Sequence, residues 1–129
     1  KKYLSYLPLL VVIAILGMTL PFKFGGAAES VELFTEITQQ VPGTPSNEAV
    51  MRIGTGIIET IAILLLLIPT TRAWGAATAL GTMAGAILTH LYLGKIDDLF
   101  AMAIITAISA AILVWIHRKQ LPLINKIAI

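Results

Sequence analysis

The chain has 129 residues, of which 57% are hydrophobic and only 12% charged, with a formal net charge of +2. A water-facing domain carries about a quarter charged residues, and the mean hydropathy of +0.90 points the same way, so composition excludes an ordinary soluble domain and predicts one small integral membrane domain spanning residues 1–129. Cysteine is absent, which excludes disulfides, dithiol redox chemistry and thiolate metal sites within this chain. The positive charges flank hydrophobic runs, where membrane topology accounts for them and nucleic acid is not implied.

Residues 4–20 form the first predicted span. It is preceded by Lys1 and Lys2, carries Pro8 in its first turns where a missing donor costs little, and is expected to end at Pro21. The chain begins Lys-Lys-Tyr, and no Ala-x-Ala cleavage pattern follows the run, so it reads as a span and not as a signal peptide. Residues 22–49 are the long polar stretch. Ser30 is placed to cap a short helix to about Gln40, with Val31, Phe34, Ile37, Thr38 and Val41 on one face and Glu29, Glu32 and Glu36 on the other. This predicts an amphipathic helix lying on the bundle or in the interface.

Residues 50–68 form the second span, opened by Ser46 or Asn47 as a cap and closed by Pro69. The turn at 70–72 is short enough to make spans two and three antiparallel neighbours. Span three covers 74–93 and carries small residues every four positions, Ala77, Gly81 and Gly85. Such a ridge predicts close helix packing, in which dispersion contacts replace the hydrophobic drive that lipid cannot supply. Span four, 99–117, repeats the pattern with Ala103, Ala107 and Ala111. Beyond it, residues 123–129 read as a short interfacial tail. His117, at the end of span four, is expected to suit the helix dipole as a partial cation.

With the N-terminus inside, Lys1, Lys2, Arg72, Arg118, Lys119 and Lys126 fall on the inner side and Lys23, Arg52 and Lys95 on the outer side. Six against three satisfies the positive-inside rule and predicts a multi-pass protein of the cytoplasmic membrane with both termini cytoplasmic.

Glu59 stands near the middle of span two. An acid there costs about 2.5–3.5 kcal/mol on insertion scales and must face protein or a watery cavity. Arg52, Thr55, Gly56 and Glu59 share a stripe at 100° per residue. Thr55 and Gly56 lie one turn from the acid, and Gly56 leaves room for a helix, water or ligand. His90 stands one turn inside the outer end of span three, near the level of Arg52. Arg52 itself reads as a boundary anchor that snorkels outward. Two chemical readings follow: a polar pocket that binds a head group or handles protons, or a buried hydrogen-bond cluster that fixes helix registry. No metal site is expected, because His90 and His117 lie at opposite ends of their spans.

The run MRIGTGIIETIAILLLLIP at 51–69 and the run GAILTHL at 85–91, with Lys23-Phe24-Gly25, Glu29-Ser30-Val31-Glu32-Leu33-Phe34 and Pro42 before them, resemble the DoxX-like family of small four-span membrane proteins. The likeness covers about residues 10–117, and Gly54, Glu59, Pro69, Gly85 and His90 are its telling positions. It implies a four-helix bundle with cytoplasmic termini. One namesake of the family is the small membrane subunit of a thiosulfate:quinone oxidoreductase; other relatives resemble assembly factors or chaperones. The resemblance therefore implies an accessory subunit holding a quinone or lipid-like molecule near Glu59 and His90. The alternative is an assembly factor acting through helix contacts, with another membrane protein or a second copy of itself as partner. No motif of an autonomous enzyme is present: there is no phosphate loop and no nucleophile–base pair.

Overall fold

The structure is a computed structural model and describes Leu4 and residues 6–122. Five α-helices follow in order: α1 (Tyr6–Phe24), α2 (Ala28–Gln40), α3 (Glu48–Leu67), α4 (Arg72–Leu93) and α5 (Asp98–Ile116), and no strand occurs among the described residues. Four of them, α1, α3, α4 with its preceding turn, and α5, are long and apolar enough to cross a membrane. The tail at 123–129 lies outside the described residues.

Local sequence sets the ends. Asn47 caps α3, its side chain accepting from the amides of Ala49 and Val50 at 2.9 and 3.4 Å. Asp97 caps α5 through the amide of Phe100. At the end of α4, Gly94 takes φ +72° and lets the Lys95 amide reach back to the His90 carbonyl at 2.9 Å, closing the helix as a Schellman turn. The α3–α4 connection is a 3-10 turn, Pro69–Thr71. Gln120, beyond α5, clamps that turn: its side chain accepts from the Ala73 amide at 2.9 Å and donates to the Pro69 carbonyl at 2.8 Å.

Two boundaries differ from the sequence expectation. α1 runs through Pro21 and ends at Phe24, although the proline ring forfeits the backbone bond to Gly17. α2 starts at Ala28 without a side-chain cap, so Ser30 lies inside the first turn instead of capping it.

The four long helices form a ring in the order α1, α3, α4, α5, with α1 closing onto α5. Leu9, Val12 and Leu16 of α1 meet Ala62 and Leu66 of α3, Ala76, Ala79 and Met83 of α4, and Ala103, Ala110 and Leu113 of α5 in one core. α2 packs on α3 at one end, burying Phe34 and Ile37; this is called the cap end below, and the α3–α4 turn marks the hairpin end.

The small-residue ridges are differently placed from the sequence expectation. Ala77 is half-buried, and Gly81 and Gly85 are exposed with nothing within 4 Å of where a Cβ would stand. The close approach of α4 to α3 is made by the opposite face: a Cβ on Gly75 would fall 2.7 Å from the Ala62 carbonyl oxygen and 2.7 Å from the Leu66 amide. On α5, Ala103 is buried and Ala107 half-buried, but Ala111 is exposed; Thr106, Ala110 and Leu113 complete the buried stripe.

His117 is also different from expectation. Burial, and secondarily the nearby Arg72 charge, hold its imidazole below the usual histidine value of 6.5, so the fold favours the neutral ring over a dipole-compensating cation. A base whose folded value is depressed contributes stability above its unfolded value and loses it as the pH falls. Unfolding in detergent micelles is therefore expected to become easier as the pH drops below about 6.5, and His117→Gln is expected to flatten that limb of the profile. An acid limb unchanged by the substitution would contradict this.

Candidate functional site

The site begins with the continuation of α1. Because the helix does not stop at Pro21, Lys23 stands in its last turn and its side chain runs back along the helix, donating to Thr19 Oγ1 at 3.2 Å. Its ammonium nitrogen lies 2.9 Å from Glu59 Oε1. Glu59 is 2% exposed, so the acid is enclosed by protein and does not face lipid. The Lys23 contact supplies its counter-charge but lies off the hydrogen-bonding direction, leaving Oε1 buried without a directed donor. Lys23 was not legible as a partner in the sequence. Its signal was the register itself: a helix carried three residues past Pro21 places a lysine over the middle of α3.

Arg52 does not join Glu59. It is 7% exposed and so does not snorkel outward. Its guanidinium holds Glu48 through Nε at 3.0 Å and Nη2 at 3.3 Å, while Nη1 donates to the Lys23 carbonyl oxygen. It also lies beneath Gly26, whose φ of +67° turns the chain from α1 into α2. Arg52 thus ties the α1–α2 turn to α3 and fixes where Lys23 sits. Gly56 leaves no room for a ligand, because the Phe24 ring fills the space, 3.0 Å from where a Cβ would stand.

The remaining candidates meet around a cavity of about 860 Å³ under the cap end, reached by all five helices. Thr55 and Glu59 of α3, Thr82, Thr89 and His90 of α4, Lys23 and Thr19 of α1, and Ser30 of α2 supply its polar wall. Most of the rest is apolar, and all four methionines of the chain, Met18, Met51, Met83 and Met102, line it. Methionine is unbranched and polarizable, and a wall built of it adapts to an irregular apolar guest. The volume lies within the usual 300–1,000 Å³ of small-molecule pockets, roughly the size that takes a drug-sized ligand. Met18, Phe22 and Leu99, and Gly85 of α4, line it and are exposed, so the cavity is open to the outside of the bundle.

His90 is fixed by its surroundings. Nδ1 lies 3.1 Å from the Lys95 carbonyl oxygen, and the ring tilts against Phe100 with centroids 6.0 Å apart. Lys95 in turn reaches Glu36 of α2 at 2.7 Å. That hydrogen bond holds the Lys95 ammonium above its usual value and ties the α4–α5 turn to the cap. No group of three or more histidine or acidic side chains suited to a metal ion occurs among the described residues.

Four membrane-length helices around an enclosed acid mark a multi-pass helical membrane protein with a mostly apolar cavity that carries a few polar groups. No family model, curated protein or solved structure matches the chain.

Proposed function

We propose that the chain is a DoxX-like accessory or membrane-anchor subunit that holds a quinone or other lipid-like amphiphile in this cavity. The observation that carries the reading is the cavity's mixed lining: a mostly apolar body to which all four methionines contribute, with the Glu59–Lys23 pair and His90 among its few polar groups. A head group would meet Glu59 and His90, Thr55 would add a hydroxyl, and the apolar body would run toward the opening. Glu59 and Lys23 would move or share a proton with the head group, and α2 would act as an amphipathic cap. The count of basic residues in the sequence supports a cytoplasmic hairpin end, which would leave the cavity toward the outer leaflet. Any redox chemistry would belong to a partner subunit, in keeping with the resemblance to the membrane subunit of a quinone-linked oxidoreductase.

A ligand that binds only the folded state stabilises it in proportion to its concentration over Kd. Addition of decylquinone or its hydroquinone is expected to raise the thermal stability of the wild-type protein in micelles, with most of the shift lost in Glu59→Gln and in His90→Ala. An equal shift in all three proteins would overturn the reading. A second reading, an assembly factor, is favoured by one feature: Gly81 and Gly85 of α4 are exposed, with nothing within 4 Å of where a Cβ would stand, and would suit close approach by a helix of another membrane protein or of a second copy.

A further inference from the structure

We infer that the cavity selects amphiphiles whose head group donates hydrogen bonds, a phenolic or alcoholic hydroxyl, over carbonyl or ether heads of the same shape. The inference rests on the cavity reading above and names the chemistry of its ligand.

It follows from an account of hydrogens along the polar wall. A threonine hydroxyl has one hydrogen and two lone pairs. Each threonine on the wall spends its hydrogen on a backbone carbonyl of its own helix: Thr19 on Leu16 at 3.0 Å, and Thr55 on Met51, Thr82 on Thr78 and Thr89 on Gly85, each at 2.8 Å. The oxygens of Thr55, Thr82 and Thr89 are left to the cavity as acceptors, and Thr19 keeps one lone pair beside the Lys23 ammonium. His90 is committed in the same way. The Lys95 carbonyl can only accept, so Nδ1 carries the ring hydrogen, and Asp97 Oδ1, 3.7 Å from the same nitrogen, favours that tautomer. In the neutral ring Nε2 then offers a lone pair. Glu59 adds a carboxylate with one oxygen lacking a directed donor.

Donors are few. Lys23, which donates to Thr19 and stands beside Glu59 without a directed hydrogen bond to it, is the chief one, and Ser30 adds a hydroxyl from the α2 side. A carbonyl head would compete for those two while leaving the acceptors unmet. A hydroxyl head can donate to Glu59 or to His90 Nε2 and still accept from Lys23. Sites with buried groups that need a ligand hydrogen reject analogues lacking it far more strongly than sites that sort by size, because the unmet group loses its water without gaining a partner.

The test is a binding series on the full chain in micelles under anaerobic conditions, read by calorimetry. The probes are a decyl hydroquinone, the matching quinone, its dimethyl ether, and, as a second pair, dodecanol with its methyl ether. The expected result is that the hydroquinone binds at least about tenfold more tightly than the quinone and the dimethyl ether, and that His90→Phe and Glu59→Gln each shrink the ratio. The preference is measured within the wild-type protein, so it stands even where a variant folds poorly. A preference shared by dodecanol over its ether assigns a lipid-type hydroxyl; one confined to the hydroquinone assigns an aromatic head; both support the inference. Equal affinity of hydroxyl and capped forms would overturn it and leave the cavity reading intact. No binding by any probe would overturn both.

Discussion

Lys23→Met is expected to destabilise the protein in detergent micelles by about 3–5 kcal/mol, and the double variant Lys23→Met with Glu59→Met is expected to recover most of that loss. The asymmetry comes from burial. Glu59 is 2% exposed and its main compensation is the Lys23 ammonium at 2.9 Å. Removing the lysine leaves a carboxylate enclosed by helices, the costly half of a broken pair. Removing both leaves two flexible apolar side chains in a wall already built from methionine. Unfolding measured with both variants separates the account from its rival. A loss below about 1 kcal/mol for Lys23→Met, the range of exposed pairs, would mean that water and not protein compensates Glu59.

Gly75→Ala is expected to cost about 1–3 kcal/mol, at the upper end for a single methyl group, while Gly81→Ala is expected to be neutral or to stabilise by up to about 1 kcal/mol. The added methyl at Gly75 would stand 2.7 Å from backbone atoms of both Ala62 and Leu66, and backbone cannot rotate out of the way as a side chain can. α3 and α4 would have to separate along their contact. At Gly81 nothing lies within 4 Å, and the gain is that of replacing glycine within a helix. If the two substitutions had equal effects, or if Gly81→Ala were the harmful one, the helix phase described here would be wrong, or the ridge would be buried in a dimer.

These two cases show where the sequence was readable. The four long helices were legible because an uninterrupted apolar run of bilayer length has few other uses, and the start of α3 was legible as Ser46 or Asn47, of which Asn47 makes the cap. Glu59 was legible because one acid in such a run must be sheltered. The facing of α4 was not. Gly75, Ala79 and Met83 repeat every four residues just as Ala77, Gly81 and Gly85 do, two positions out of phase and so on nearly opposite faces. In water, polarity would choose between them; in a membrane, lipid and core are both apolar, and spacing alone gives two answers. Lys23 was missed for a related reason. Pro21 normally signals an end, but α1 continues to Phe24, and the Gly25 amide bonds back to the Pro21 carbonyl at 2.8 Å.

The absence of cysteine makes the most direct test a clean one, because an introduced thiol is the only thiol present. Thr55→Cys on the cavity wall and Ala79→Cys in the closed core are each exposed to a small water-soluble maleimide, with and without decyl hydroquinone. The account predicts that the thiol at 55 reacts and is protected by the amphiphile, while the thiol at 79 stays unreactive throughout. A thiol at 55 that never reacts, or that reacts equally with the amphiphile present, would contradict a cavity reached from outside the bundle and filled by such a ligand.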